Sequence, residues 1–384
     1  MPKEKYNPQP FGYRTFKYKK MTNKKDLKAT PANKILTVVI PTYNMEKYLR
    51  RCLDSLIVSD RQMQMLEVLV INDGSKDTSS QIAHEYQDRY PHTFRVIDKE
   101  NGNYGSCVNR GLDEATGKYF RLLDADDQFD KEGLVKVLQV LATTEADMVI
   151  TPYTYTYEEG AIKAKPFPKP KGVEYGKIYR AEDFDYYEKN CKRLLCMHAT
   201  TYKLSILKEV GLRHQTGISY TDTEYVYFPL VAVKTILPLD ITLYIYTRGR
   251  DGQTVVMTGS PKQVNDYYLV SERIFYDFIK CEKNISDKAL RRKQLIIMGR
   301  VVCSYYQCVL CYTKNNEAEN QRMAKFANEI KKQSPDLYDL MRNKIKTRKI
   351  LFGFRIWEKT GKYITDQPFK LVYDILGLIK GKKK

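Results

Sequence analysis

The sequence predicts an α/β protein with a mostly parallel, doubly wound sheet followed by a helical C-terminal region. Between residues 35 and 157, short apolar runs alternate with segments of helical periodicity. The runs are continuously apolar, which is typical of parallel strands covered by helices on both faces. Residues 261–344 contain no turn-rich breaks long enough to separate strands, so they are predicted to be helical.

The first two strands are marked by β-branched apolar runs. Residues 35–40 (ILTVVI) form the first predicted strand, and Asn44 is placed to cap the helix that follows. That helix carries an apolar stripe from Tyr48 to Ile57 at helical spacing. Residues 66–71 (LEVLVI) form the second strand, and a helix to about Tyr90 follows it.

Three more strands complete the predicted sheet. In order, the elements are strand 94–98, a helix opened by the loop NGNYGS and ended by Gly117, strand 118–123, helix 131–145 and strand 147–151. Beyond residue 157 the pattern weakens, because residues 161–172 form a proline- and lysine-rich loop. Residues 178–247 mix helices with one strand-like run, 242–247.

Polar clusters follow three of the predicted strands: PTYN, NDGS and DADD. Doubly wound sheets bind ligands beyond the carboxyl ends of their strands, so these clusters are expected to converge on one crevice. The turn after the first strand lacks glycine, and no G-x-x-x-x-G-K-[ST] motif occurs. These absences exclude the dinucleotide fingerprint at this turn and P-loop chemistry.

Asp124 and Asp126 stand one residue apart behind the fourth strand, in RLLDADDQFD. On an extended strand end their carboxylates would point the same way and repel each other unless a cation lay between them. Hard divalent ions prefer oxygen ligands, and phosphates can complete the shell, which suggests a metal–diphosphate site. An acidic cap for the following helix, with Asp127 and Asp130, remains open on these residues alone.

Four segments occur in a fixed order: VVIPTYNMEKYLRRCLDSL, VLVINDGSKDTS, ENGNYGSCVNRGLDEATGKYFRLLDADD and SYTDTEYVY. Together they resemble the family 2 glycosyltransferases, inverting enzymes of the GT-A fold that use nucleotide-sugar donors. The resulting division is a basic arm 1–34, a GT-A domain 35–255 and a helical region 256–384. Within the GT-A domain, residues 35–150 would bind the nucleotide sugar and 151–255 the acceptor.

The resemblance implies a donor site at the strand ends. Asp73 would accept a hydrogen bond from the base, which suits the N–H of uracil and hence a UDP-sugar. Asp126, with Asp124, would bind Mn²⁺ or Mg²⁺. Residues matched to nucleotide binding are Pro41, Thr42, Tyr43, Asn44, Asp73, Gly74, Asp124 and Arg248. Asp127 and Asn109 are matched to the donor sugar or the acceptor.

Asp222 is the predicted catalytic base, since SYTDTEY resembles the segment that carries the family's Glu-Asp pair. Inverting transfer needs a carboxylate that removes the proton of the attacking hydroxyl. Thr221 replaces the glutamate of that pair, so Glu224 is the fallback, and an exposed capping role for Asp222 remains the alternative. The Q-x-x-R-W motif of processive synthases is missing, and the only tryptophan is Trp357. One sugar is therefore expected per encounter, in the synthesis of a surface polysaccharide or glycolipid.

The formal charge of +19 lies almost entirely at the two ends of the chain. Residues 1–34 hold ten Lys/Arg and two acids, and residues 342–384 hold thirteen and three. An apolar stripe at 369–379 followed by lysines predicts contact with an anionic membrane surface, although a helix packed on the main domain is the alternative. With no signal peptide and no apolar run of spanning length, the expected location is cytoplasmic, at the inner face of the membrane.

Two other function classes compete with glycosyl transfer. A sugar nucleotidyltransferase should carry a glycine-rich, basic loop after the first strand, where this chain has PTYN. A nucleic-acid binder would explain the basic ends but should show a recognisable module of interleaved aromatic and basic residues. The predicted partners are therefore a nucleotide sugar and a saccharide or lipid-linked saccharide acceptor, without nucleic acid. Cys308 and Cys311 form a C-x-x-C without a second pair, which favours unbridged thiols over a metal site.

Overall fold

The computed structural model describes residues 34–157, 173–184, 195–250, 253, 257–282, 285, 287–313, 316–344 and 357–359. Three predicted features lie outside the described residues: the basic arm (apart from Lys34), the proline- and lysine-rich loop 161–172 and the apolar stripe of the C-terminal tail.

The first half of the chain alternates strands and helices in the predicted order. Its elements are β1 (Leu36–Thr42), α1 (Glu46–Asp54), α2 (Asp60–Met63), β2 (Leu66–Asn72), α3 (Ser79–Arg89), β3 (Phe94–Asp98), α4 (Asn103–Glu114) and β4 (Tyr119–Leu122). Every residue of β1 is buried, as expected of a strand with a neighbour on each side and helices on both faces.

The elements that follow are shorter and more mixed. They are β5 (Gln128–Phe129), α5 (Lys131–Thr143), β6 (Met148–Ile150), β7 (Tyr153–Tyr157), β8 (Tyr179–Arg180), β9 (Thr200–Lys203), α6 (Leu204–Glu209), α7 (Asp222–Tyr227), β10 (Thr235–Pro238) and β11 (Tyr244–Arg248). The helical region then comprises α8 (Pro261–Cys281), α9 (Lys288–Tyr312), α10 (Glu317–Gln333) and α11 (Pro335–Asp339), closed by a π-helical turn at Leu340–Lys344.

The main sheet has eight strands in the order β3-β2-β1-β4-β9-β6-β10-β8. Strands β3, β2, β1 and β4 are mutually parallel, and β6 and β10 are also parallel. Antiparallel β9 joins the two parallel groups, since it pairs with both β4 and β6. The sheet is therefore mostly parallel, as predicted, with an antiparallel insertion that the apolar runs did not indicate.

A second sheet of three strands has the order β5-β11-β7. Strand β11 pairs antiparallel with β5, directly behind the DADD segment, and parallel with β7. The strand-like run 242–247 thus belongs to a separate sheet that lies beside the acidic cluster. Neither β5 nor this sheet was predicted, because a two-residue strand gives no periodic signal.

Two local predictions at the strand ends were wrong. Asn44 does not cap α1: it lies in the left-handed region (φ 52°), and its Oδ1 accepts a hydrogen bond from Lys76 N at 2.8 Å. The backbone at Asp124 is not an extended strand end either. Strand β4 stops at Leu122, and Asp127 N donates to Asp124 O at 2.9 Å, which closes a tight turn.

The helical region packs directly on the α/β layer. Helix α9 contacts α7 and α8, and buried side chains of α8, α9 and α10 join the same hydrophobic core as the strands of the main sheet. A glycine allows a close helix–strand approach inside this core, because a Cβ at Gly111 of α4 would lie 2.5 Å from Val39 Cγ1. Among the described residues, no helix has both the length and the apolar character of a membrane span.

Candidate active site

A cavity of about 630 Å³ lies beyond the carboxyl ends of β1, β2 and β4. One part of its lining comes from those strand ends and includes Thr42, Asp73 and Asp126. Another part comes from the helices, with Asp222 of α7, Tyr267 of α8 and Arg300 of α9. The polar clusters predicted from the sequence therefore meet at one cavity, and the helical region supplies part of its lining.

Asp73 is held in place at the end of β2. Its Oδ1 accepts hydrogen bonds from Lys99 Nζ at 2.5 Å and Gly102 N at 2.9 Å, while its backbone N donates to Thr42 O at 2.8 Å. Gly74 follows with φ +71°, a conformation that glycine adopts without strain and that turns the chain away from the sheet. These contacts fix the Asp73 carboxylate at the cavity lining.

The turn that carries Asp124 and Asp126 brings both carboxylates to the cavity. The Tyr104 hydroxyl donates to Asp124 Oδ1 at 3.1 Å, and the Arg250 guanidinium forms an ion pair with Asp126. Burial, together with the charge of Asp126, raises the pKa of Asp124 to about 7. From α1, Arg51 Nη2 donates to Asp126 O at 2.8 Å and so fixes the backbone of the turn.

The acidic cap of the next helix is Asp130. Its side chain accepts a hydrogen bond from Gly133 N at 2.8 Å at the start of α5. Capping accounts for Asp130, whereas Asp124 and Asp126 lie at the cavity lining. The helix cap and the candidate metal site, which the sequence left as alternatives, therefore involve different residues.

Asp127 is completely buried and ties the turn to β11. It accepts hydrogen bonds from the Tyr244 hydroxyl at 2.6 Å and from Thr247 N at 2.7 Å. Burial, followed by the charges of Asp126 and Asp124, raises the pKa of Asp127 well above its usual value. Asp127 does not line the cavity, so the structure gives it a positioning contact instead of the predicted position beside the donor sugar.

His198 lies at the cavity beside these acids, although the sequence did not single it out. One side-chain ligand atom from each of Asp124, Asp127 and His198 lies within 4.8 Å of the others. Burial, with the nearby charges of Arg121 and Arg248, lowers the pKa of His198 to about 3, so the imidazole is neutral. Two carboxylates and a neutral imidazole are a donor set that fits a divalent cation.

Asp222 opens α7 at the helical part of the cavity. Its side chain is partly buried, and burial raises the pKa of this carboxyl to about 6. Two residues earlier, Tyr220 has φ 66°, an unfavourable conformation for a bulky side chain. Backbone strain of this kind is commonly found at functional sites.

The family model for Glycosyl transferase family 2 matches residues 37–210. A glycosyltransferase of Mycoplasma pneumoniae, the MG060 homolog, is 32% identical over 202 residues, which cover 48% of this chain and 68% of the relative. The chain belongs to the family 2 glycosyltransferases. The resemblance drawn from the sequence motifs is thereby confirmed.

Other relatives of this family 2 glycosyltransferase match over shorter shares. EpsH, a putative glycosyltransferase of Bacillus subtilis, is 33% identical over 170 residues, or 39% of this chain and 47% of EpsH. Glycosyltransferase GlyA of Streptococcus pneumoniae is 33% identical over 124 residues, or 32% of this chain and 17% of GlyA. The chain thus spans about half or less of the length of several curated relatives that it matches.

The fold of this family 2 glycosyltransferase is similar to that of S. aureus TarS. The structure of TarS residues 1–349 in complex with UDP has a TM-score of 0.56 and 18% sequence identity, and the match covers 86% of this chain and 93% of that TarS chain. The complex with UDP-GlcNAc gives a TM-score of 0.51 over the same shares. At this identity the likeness concerns the fold, and it confirms the predicted GT-A class.

The predicted site residues of this glycosyltransferase divide into two groups. Those at the cavity lining are Pro41, Thr42, Tyr43, Asp73, Asp124, Asp126 and Asp222. Those outside the lining are Asn44, Gly74, Asn109, Asp127, Glu224 and Arg248. Within the second group, Asn44, Asn109, Asp127 and Glu224 form hydrogen bonds with neighbouring segments.

Glu224 and Asn109 illustrate this second group. Glu224 is fully buried and accepts hydrogen bonds from Gln215 N at 2.9 Å and Arg273 Nη1 at 2.8 Å, so its carboxylate does not reach the cavity as a fallback base. Asn109 Nδ2 donates to His214 O at 2.9 Å and its Oδ1 accepts from His214 N at 2.7 Å. Both residues hold the segment that leads into α7.

Arg250, rather than Arg248, is the basic residue at the acidic turn. Arg248 is exposed and lies over the Tyr155 and Tyr246 rings, at 4.5 and 5.2 Å from their centroids. Arg250 lines the cavity and pairs with Asp126. Both arginines lie in the segment TRGRDG, so the sequence did place a basic residue here. Residues 248 and 250 would point to the same side only if the strand continued through both of them. Strand β11 ends at Arg248.

Proposed function

We propose that this protein transfers one glycosyl unit from a nucleotide-diphosphate sugar, a UDP-sugar, to an acceptor hydroxyl with inversion at the anomeric carbon. The observation that carries the proposal is the placement of Asp73, Asp126 and Asp222 around one cavity, from three segments distant in the sequence. Membership of family 2 supports it. The product would be a cell-surface polysaccharide or glycolipid.

The relatives support this donor and this product class. TarS has been crystallised with UDP and with UDP-GlcNAc. The minor teichoic acid biosynthesis protein GgaB of Bacillus subtilis is 31% identical over 124 residues, or 32% of this chain and 14% of GgaB. Each binding or pathway statement concerns the relative, and we extend it to this chain as part of the proposal.

The base of the donor would lie between Asp73 and the segment from Pro41 to Tyr43. Asp73 Oδ1 is occupied by Lys99 and Gly102, so Oδ2 is the oxygen we assign to the N–H of uracil. Tyr43 is 45% exposed at the cavity lining, where its ring offers a face for the base. Asp124, which the Tyr104 hydroxyl orients, would lie near the ribose.

A divalent metal, Mn²⁺ or Mg²⁺, would be held by Asp126 and Asp124, with the neutral imidazole of His198 within reach of Asp124. When bound, such an ion neutralises charge on the leaving diphosphate. The residues fit this role, because the Asp126 carboxylate already pairs with a cationic group, the Arg250 guanidinium, at the cavity lining. Asp127 keeps the turn in position through Tyr244 and Thr247.

Asp222 would act as the general base. Its carboxylate accepts the proton of the acceptor hydroxyl while that oxygen bonds to the anomeric carbon, and the bond from this carbon to the diphosphate oxygen breaks on the opposite face. The proton ends on Asp222 and the electron pair on the nucleoside diphosphate. A pKa of about 6 suits a base that must be ionised near neutral pH and still accept a proton.

The test is the fate of a radiolabelled UDP-sugar with the wild-type protein and with Asp222→Asn. We expect Asp222→Asn to lose at least about 10²-fold in transfer rate, because a positioned base contributes about that much or more. UDP binding measured by calorimetry should remain. Full turnover by Asp222→Asn would remove this residue from the role of base. Conversion of the UDP-sugar to UTP and sugar 1-phosphate only when pyrophosphate is added, in place of UDP release, would indicate a nucleotidyltransferase.

A further inference from the structure

Helix α9 presents four residues to the cavity from one of its faces. Ile297, Arg300, Val301 and Ser304 follow one another at intervals of three, one and three residues, which places them on a single helical face. We call this set the α9 face. Nothing in the proposed donor site uses it.

Arg300 and Ser304 supply the polar atoms of the α9 face. Arg300 is partly buried within an otherwise largely apolar stretch of α9, and its Nη1 donates to Leu195 O at 3.4 Å. Ser304 Oγ donates to Arg300 O at 3.1 Å, which leaves the lone pairs of this hydroxyl for a ligand donor. A guanidinium at a concave, partly buried position is well suited to a phosphate, since it offers paired donors in one plane.

An aromatic pair lines the same cavity as the α9 face and Asp222. The rings of Tyr220 and Tyr267 stack with centroids 4.0 Å apart and planes at 12°, and both residues line the cavity. Gln263 Nε2 donates to the Tyr220 hydroxyl at 2.8 Å, which fixes the orientation of this ring. The strained backbone of Tyr220 therefore supports a rigid aromatic surface two residues from the proposed base.

We propose that Tyr220, Tyr267 and the α9 face form an acceptor subsite for a saccharide that carries a phosphate group. The tyrosine pair contacts the sugar ring whose hydroxyl meets Asp222, and Arg300 binds the phosphate. This inference rests on the glycosyl transfer proposed above and adds the chemical class of the acceptor.

The distribution of charge along the cavity favours an anionic acceptor group at the α9 face. The acidic lining residues, Asp73, Asp124, Asp126 and Asp222, come from the strand ends and α7, and none comes from α9. The two arginines of the lining are Arg250, which is paired with Asp126, and Arg300. Positive charge is thus supplied at both parts of the cavity: Arg250 faces the donor diphosphate and Arg300 the acceptor.

Two sources of the phosphate share this chemistry, and the experiment has one arm for each. The full-length protein, saturated with UDP and Mn²⁺, is titrated with a hexose phosphate in solution and, separately, with phosphatidylcholine vesicles that carry a polyprenyl-diphosphate saccharide. Each probe has a matched counterpart without phosphate. We expect Arg300→Gln to weaken binding of the phosphate-bearing probe by about tenfold or more, the usual effect of losing a charge-assisted contact. The arm that shows this loss identifies the source.

Two further variants and two control measurements test whether the Arg300 charge itself binds the phosphate. Arg300→Lys should recover part of the affinity, because it restores the charge without the paired donors. Ser304→Ala on the same face keeps the charge and should change affinity much less. UDP affinity and the thermal midpoint should be the same in all variants. Equal binding of probes with and without phosphate, or undetectable binding of both, would overturn the inference, whereas a wild-type protein that binds no UDP would overturn the proposed function itself.

Discussion

Asp222 combines a position at the cavity with a raised pKa, so its protonation should control the rate over an accessible range of pH. As a base it works only when ionised, and its pKa is about 6. We therefore expect kcat/KM to rise about tenfold per pH unit up to about pH 6 and to level off above it. UDP affinity is measured over the same pH range, so that a change in donor binding can be distinguished from the protonation of Asp222. A flat profile between pH 5 and 7 would contradict the assignment.

The same raised pKa has a consequence for stability. Between pH 4 and 6 the folded protein keeps the Asp222 proton while the unfolded chain, with an aspartate of usual pKa, loses it. Through this group, the free energy of unfolding therefore falls as pH rises. Asp222→Asn removes the buried charge. Its free energy of unfolding should be about 1 to 3 kcal/mol higher than that of the wild type above pH 7, with little difference at pH 4. Thermal unfolding of both proteins without nucleotide provides the measurement.

Asp126 and Asp130 lie four residues apart in the same acidic segment but have different roles, so they form a matched pair. Asp126→Ala should abolish metal-dependent binding of UDP, because it removes a carboxylate from the cavity lining. Asp130→Ala should keep that binding and lose about 1 kcal/mol of stability, since its side chain caps α5. Calorimetric titration of UDP with and without Mn²⁺ would distinguish them. Undiminished UDP affinity in Asp126→Ala would argue against the metal site.

At the scale of single residues, the sequence predicted those that follow a strand in a recognisable motif. Asp73 and Asp126 lie at the cavity because a buried strand ends directly before each motif. His198 was missed because a single histidine outside any motif is indistinguishable from one that packs in a core. Its position depends on β9, the antiparallel strand that brings residues near 200 beside β4.

Secondary-structure elements hold the catalytic residue through one chain of contacts. Helix α4 presses on the segment before α7, since a Cβ at Gly105 would lie 1.9 Å from Gln215 O. Gln215 in turn donates from its backbone and side chain to Glu224 of α7. Helix α7 begins with Asp222. The position of the proposed base, Asp222, therefore depends on the absence of a side chain at Gly105 of α4.

Gly105→Ala tests this dependence. Overpacking against backbone should cost about 1 to 3 kcal/mol and displace Gln215, so transfer should fall by more than the loss of folded protein explains. Gly176→Ala is the control: nothing lies within 4 Å of its added Cβ, so any loss of stability there comes from the positive φ of Gly176 and not from overpacking. Chemical denaturation and initial rates are measured for both. Normal rates per folded molecule in Gly105→Ala would show that α7 tolerates the shift.

Periodicity located the elements of the parallel half of the sheet more reliably than those of the rest. Strands β1 and β2 are long apolar runs, β3 has three apolar residues in FRVID, and all three strands were predicted. Strands β5 and β8 have two residues each, and β9 has the polar sequence TTYK, so none gives a period. These short strands are stabilised by their neighbours in the sheet, which only the tertiary structure reveals.

On the scale of the whole molecule, the helical region and the α/β layer share one core and one cavity. Residues of α8 and α9 pack into the same hydrophobic cluster as the main sheet, and Tyr267 and Arg300 line the cavity. The expected boundary near residue 255 therefore divides the sequence into two parts, 35–255 and 256–384, that pack into one core. We infer that the helices contribute to the acceptor half of the site, which the sequence had assigned to residues 151–255 alone.

The basic C-terminal tail is predicted to attach the protein to an anionic membrane surface. Its apolar positions at helical spacing precede a lysine cluster, and each lysine near an anionic leaflet adds about 1 kcal/mol. A chain that ends after Lys359 should therefore lose its binding to phosphatidylglycerol vesicles in a sedimentation assay, while its UDP affinity stays unchanged.

Replacing Lys382, Lys383 and Lys384 by glutamine in the full chain separates the contribution of charge from that of apolar contact. This triple variant should bind more weakly and with a smaller dependence on salt, because the stripe remains while three lysines of the cluster are gone. Equal sedimentation of the full and shortened chains would instead favour a tail that does not contact lipid.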